Sequence, residues 1–139
     1  MFDTDVMVAA IRSDAGASRY LVIAALERRL SLLVSVPLMV EYESVMTRDE
    51  HLEAARLSRA DVGILLDAIA GVATPVKLEF LWRTVLRDPD DDMVLETAMN
   101  GQADAIVTLN RRDFGRAFQS FGIDILAPGD ALKRLGARI

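Results

Sequence analysis

The 139-residue chain contains no cysteine. That excludes disulfide staples and thiolate metal sites, and it agrees with a reducing compartment. Histidine is nearly absent too. The one example, His51, lies between Glu50 and Leu52 in a polar stretch and reads as a surface residue. A lone histidine leaves no material for a histidine-rich zinc site and makes a Ser-His-Asp triad a poor reading. No apolar run is long enough to cross a bilayer. The N-terminal residues show no basic segment followed by an apolar run, so no signal peptide is expected. The expectation is a cytoplasmic protein with no membrane contact. Positive charge is in deficit, with a formal net charge of -5. That argues against passive nucleic-acid binding, which Lys and Arg drive. It does not exclude a nuclease, because bound divalent ions cancel clustered carboxylates locally.

What is present is apolar residues, at 52% of the chain. Length and composition predict one domain over residues 1–139 with a real core. Short apolar runs alternate with amphipathic stretches. Helices are expected over residues 6–11, 18–30 and 37–46, from Ser58 to about Ala70, and over 91–100, 111–118 and 128–135. Strands are expected at residues 2–5, 31–35, 74–78, 103–109 and 123–126. Ser58 and Asp61 form a capping-box pattern. Gly71 and Gly101 read as helix stops. Strands interleaved with helices imply an α/β fold, a parallel sheet covered on both faces. Ligands in such sheets bind at the carboxyl ends of the strands.

Acids recur at those ends. Asp3 and Asp5 follow the first two residues. Either could cap the next helix, and Asp5 divides evenly between capping and function. Glu41 and Glu43 share one helix, and periodicity does not choose between them. In the run Asp88-Pro89-Asp90-Asp91-Asp92, Asp91 continues the apolar stripe of Val94, Leu95 and Ala98, so it points inward. A carboxylate on a buried face is costly unless paired or bound to metal. The bland reading of this run is charge complementing a helix dipole. Asn110 and Asp113 follow the strand at residues 103–109, where Asn110 could equally cap a helix. Carboxylates at strand ends and helix starts suggest a site for a hard divalent cation such as Mg²⁺ or Mn²⁺.

Four segments resemble the PIN-domain family, in its toxin branch of toxin–antitoxin systems (VapC-like ribonucleases). Asp3-Thr4-Asp5-Val6 is similar to the family's Asp-Thr-Asn-Val. Ser35 through Val45 resembles its Ser-Pro and Glu-Tyr helix, which selects Glu41 over Glu43. Arg87 through Ala98 resembles its Arg-Asp-Pro-Asp-Asp stretch. Ala103 through Thr108 resembles its Ala-Asp-Tyr-x-Val-Thr strand. The resemblance implies a three-layer sandwich around a central parallel sheet of about five strands. It implies metal-binding carboxylates at Asp3, Glu41 and Asp91. The fourth acid position is occupied by Asn110, with Asp113 as the substitute. It further implies Mg²⁺- or Mn²⁺-dependent cleavage of single-stranded or structured RNA by an activated water, a homodimer, and inhibition by a cognate antitoxin protein.

Two rival readings remain at this level. Asp3-Thr4-Asp5 also matches the nucleophile motif of a haloacid-dehalogenase-type phosphatase, with Ser35 and Lys77 available. Asn110 and the short first strand also suit a degenerate PIN module that binds without cutting. The apolar cluster Phe80-Leu81-Trp82 is expected near the active-site rim or a subunit contact.

Overall fold

Asp3, Ser35 and Ser58 each open a helix with a side-chain cap. A computed structural model describes residues 1–78, 89–114 and 122–137. Asp3 caps α1 (Thr4–Arg12) by accepting from the Thr4 N–H, and the helix buries Val6, Met7, Ala10 and Ile11. The next helix, α2, spans Ala17–Leu26. It ends earlier than expected because Arg28 adopts a left-handed conformation at φ 60°. That turn lets the Arg29 N–H reach back to Ala24 O and closes the helix end. Ser35 caps α3 (Val36–Met46), with Pro37 in the first turn where its missing N–H costs nothing. A short α4 (Asp49–Ala55), which the sequence pattern did not mark, follows. The capping box of Ser58 and Asp61 opens α5 (Arg59–Val72) as expected. This helix runs through Gly71, which meets open space and needs no special conformation.

The C-terminal half completes the set. Helix α6 covers Pro89–Asn100 and α7 covers Pro128–Ala137. Gly101 does follow α6, but not to supply a left-handed turn. A Cβ there would lie 2.8 Å from Val76 and 3.0 Å from Leu33, so close packing requires the glycine. The left-handed residue is Gln102, at φ 53°. Only a 3-10 turn, Arg111–Asp113, appears where a helix to Phe118 was expected; residues 115–118 lie outside the described residues. The Phe80-Leu81-Trp82 cluster also lies outside them.

The strands are shorter than the sequence suggested. They are β1 (Leu33–Val34), β2 (Thr74–Pro75), β3 (Ala105–Val107) and β4 (Asp124–Leu126). Every pairing among the described residues is parallel: β1 with β2, β3 with β4, and Phe2 with Val107. Helices alternating with parallel strands give an α/β fold, as expected. The single sheet of about five strands is not formed among the described residues, where the strands fall into two two-stranded sheets. Two local causes are visible. Pro75 has no N–H to extend the ladder of β2. The Phe2 carbonyl, which faces away from β3, accepts from the buried Tyr42 hydroxyl instead of from a neighbouring strand.

Tyr42 also ties α3 to the first residues. Burial, followed by the charges of Asp3 and Asp5, pushes its hydroxyl far above the ordinary tyrosine range, so it stays protonated and donates. Tyr42 and Phe2 are both almost fully buried within one apolar core that also takes in Leu38, Ile69, Leu95 and Ile106. Tyr42→Phe should leave the Phe2 carbonyl buried without that donor, at a cost of about 1–3 kcal/mol. Urea denaturation checks this; unchanged stability would show that the hydrogen bond contributes nothing.

Candidate functional site

The site begins with a backbone pairing. Asp3 N–H donates to Val107 O at 2.9 Å, which places residue 3 beside the carboxyl end of β3. Asp3 is 9% exposed and uses both carboxylate oxygens. One accepts from the Thr4 N–H at 2.8 Å and the other from the Thr108 hydroxyl at 2.8 Å. The capping and functional readings of Asp3 are therefore compatible in one side chain.

Thr108, fully buried, holds the cluster together. Its hydroxyl lies 2.8 Å from Asp3 Oδ2 and 3.3 Å from Asp5 Oδ2, and it accepts from the Asn110 N–H at 3.0 Å. A hydroxyl has one proton to give. The shorter distance assigns it to Asp3, so Asp5 receives the weaker share. Asp5 Oδ2 also accepts from the Leu109 N–H at 3.1 Å. Its other oxygen, Oδ1, is buried with no hydrogen-bond partner among the described residues. Burial and then the neighbouring Asp3 charge push the Asp5 carboxyl up to about 6.

Asp3 and Asp5 line one cavity of about 650 Å³, together with Glu41 and Asn110. Glu43 is exposed and does not line it. Asn110 precedes the 3-10 turn without capping it through its side chain. Helix α6 is held to the start of α3 by a 2.6 Å hydrogen bond between the Ser35 and Thr97 hydroxyls. Val94, Leu95 and Ala98 are buried on that helix, as the stripe through Asp91 requires. The side chains of Asp91 and Asp113 lie outside the described residues.

Carboxylate and amide oxygens are the donors that Mg²⁺ and Mn²⁺ prefer. Asp3, Asp5 and Glu41 supply them, and the unpartnered Asp5 oxygen needs a cation or donor to offset its burial. Among the described residues no group of three or more His, Cys, Asp or Glu could by itself hold a metal ion. The donor chemistry suits a hard divalent cation, and any enclosing set draws on a further ligand.

Sequence reasoning passed over three participants. Asp5 was divided between capping and function, and Thr108 counted only as part of a motif. His51 was read as a surface residue. Instead its side chain is only 14% exposed, and it lines the acid-bearing cavity. The signal for Thr108 was its place at the end of β3; nothing in the polar stretch around His51 gave a comparable one.

In the metal-free protein the raised Asp5 group has a definite pH signature. Its unfolded value is near 4. The stability linked to it is full below about pH 4 and is lost as pH rises through about 6. Asp5→Asn should remove that loss. With allowance for solvent screening, the gain at pH 7 should be on the order of 1 kcal/mol. Denaturation at pH 4 and pH 7 checks it; an equal change in both proteins would contradict the assignment.

Comparison with known proteins agrees with this geometry. A family model described as a PIN domain matches residues 1–112. No curated protein and no solved structure matches the chain. PIN domains are generally nucleases and usually depend on divalent metals. The matched stretch runs from Asp3 through the end of β3 to Asn110, and the chain belongs to the PIN-domain family.

Proposed function

We propose that this PIN domain is a Mg²⁺- or Mn²⁺-dependent endoribonuclease that cuts single-stranded RNA with water. The observation that carries the reading is the buried Asp5 oxygen, unpartnered among the described residues, in a cavity shared with Asp3 and Glu41. Asp3, Glu41 and Asp91 would hold the ion, and the Thr108 hydroxyl would fix the orientation of Asp3. An ion bound there lowers the pKa of a water molecule and screens the phosphate charge. Asn110 contributes a neutral oxygen where a carboxylate would bind a second ion more strongly, and Asp113 is the substitute in reach along the chain.

The test is Mn²⁺-dependent cleavage of a single-stranded RNA. Asp3→Asn, Asp91→Asn and Glu41→Gln should each lower the rate by at least about 100-fold, while Glu43→Gln keeps it. Asn110→Asp should tighten the second ion in a Mn²⁺ titration. No phosphoryl group should become attached to Asp3. Wild-type cleavage by the Asp3 or Asp91 variant would remove the site assignment. Metal binding without turnover on any RNA would instead favour a binding module.

We further propose that the protein acts as the toxin of a toxin–antitoxin pair and forms a homodimer. Large apolar side chains support the second point: Val36 and Val40 lie one turn apart on α3, 77% and 61% exposed, and Ile64 on α5 is 68% exposed. Light scattering at micromolar concentration should give twice the chain mass. A monomer at every concentration, with no small inhibitory protein encoded beside it, would defeat this part and leave the nuclease reading intact.

A further inference from the structure

The cavity that holds the acids has a second, oppositely charged wall. Two helices build it in the same way. Along α1, Asp5 is followed by Val8 and Ala9 and then by Arg12. Along α3 and its exit, Glu41 is followed by Val45 and then by Arg48. Arg12 lies seven residues beyond Asp5 on one helix, about 10 Å at 1.5 Å per residue, and Arg48 lies just past the end of α3. All of these residues line the same cavity. Two arginines thus share the cavity with three carboxylates.

Neither arginine serves the acids. Among the described residues, Arg12 and Arg48 form no ion pair with a carboxylate. Arg12 is held instead by His51, 3.1 Å from its Nδ1 atom. A guanidinium only donates, so Nδ1 accepts and the ring proton resides on Nε2. Nε2 lies 3.8 Å from a Glu50 carboxylate oxygen. The mostly covered imidazole thus fixes one end of Arg12 without neutralising it.

We propose that Arg12 and Arg48 bind a backbone phosphate of the RNA next to the one at the carboxylates, with His51 as the positioning residue for Arg12. The inference takes its ligand from the ribonuclease reading. An arginine fork matches a phosphate's oxygens, and one already oriented loses less entropy on binding. The apolar strip of Val8, Ala9 and Val45 between acids and arginines offers a surface for the intervening sugar or base. The pocket then reads polarity along the strand, with the ion site at one end and a fixed anion site at the other.

The test is binding of a fluorescently labelled single-stranded RNA, read by anisotropy on the Asp3→Asn full-length chain so that cleavage plays no part. Arg12→Gln and Arg48→Gln should each weaken binding roughly tenfold. Each should also lower the slope of log affinity against log salt by about 0.7. Arg59→Gln, at the start of α5, should change neither. His51→Ala should weaken binding when Arg12 is present and add nothing on the Arg12→Gln background. A merely structural His51 would weaken both equally. Parent-like affinity and salt slope in both arginine variants, or no RNA binding by the parent, would overturn the proposal. RNA binding that depends on these arginines in a wild-type protein that cuts nothing would sustain it while removing the nuclease reading.

Discussion

The pairing of residues 1–3 with β3 is the constraint on which the rest depends. The Met1 amino group donates to Ala105 O, Val107 N–H to Met1 O, and Asp3 N–H to Val107 O. Buried backbone groups must find partners, and here the partners lie about a hundred residues away. The parallel register turns the Phe2 carbonyl outward, and Tyr42 of α3 meets it. One short stretch therefore fixes three things together: Asp3 against Thr108, α1 at the end of β3, and α3 with Glu41 over the same cavity.

That arrangement crowds negative charge where water is scarce. Asp3 is satisfied by a helix N–H and a threonine hydroxyl, whereas Asp5 keeps one oxygen without a partner among the described residues. A buried carboxylate in that state is destabilising unless it is protonated or meets a cation. The raised Asp5 group expresses this tension in the folded protein. The cationic wall does not relieve it, because Arg12 turns to His51 and Arg48 has no carboxylate partner among the described residues. An apolar strip of Val8, Ala9 and Val45 lies between the acids and the arginines along the two chain segments.

Much of the helical structure was legible because its signals are local. Ser58 and Asp61 cap through atoms a few residues away, and α/β alternation follows from short apolar runs between helical stripes. The misreadings came from non-local packing. Gly101 is required by Val76 and Leu33, which no window around it contains. The expected strand at 74–78 is cut to Thr74–Pro75, and the first strand reduces to a bridge at Phe2 because Asp3 already caps the helix that starts at Thr4. The end of α2 depends on a left-handed arginine, a conformation that residue type does not announce.

By itself the sequence supplied the donor types of the candidate site. Oxygen donors at Asp3, Asp5, Asn110 and one of Glu41 and Glu43, with no cysteine and one histidine, suit a hard divalent cation. Residue type and local spacing suffice for that, since ligand preference belongs to the atoms themselves. Periodicity left Glu41 and Glu43 equivalent, and the tertiary structure separated them by packing α3 with Glu41 toward the cavity and Glu43 toward solvent. It also brought Thr108 between two carboxylates and drew His51 off the surface to hold Arg12. Those outcomes depend on how α1, α3, α4 and β3 meet, and such long-range contacts leave no periodic trace along the chain.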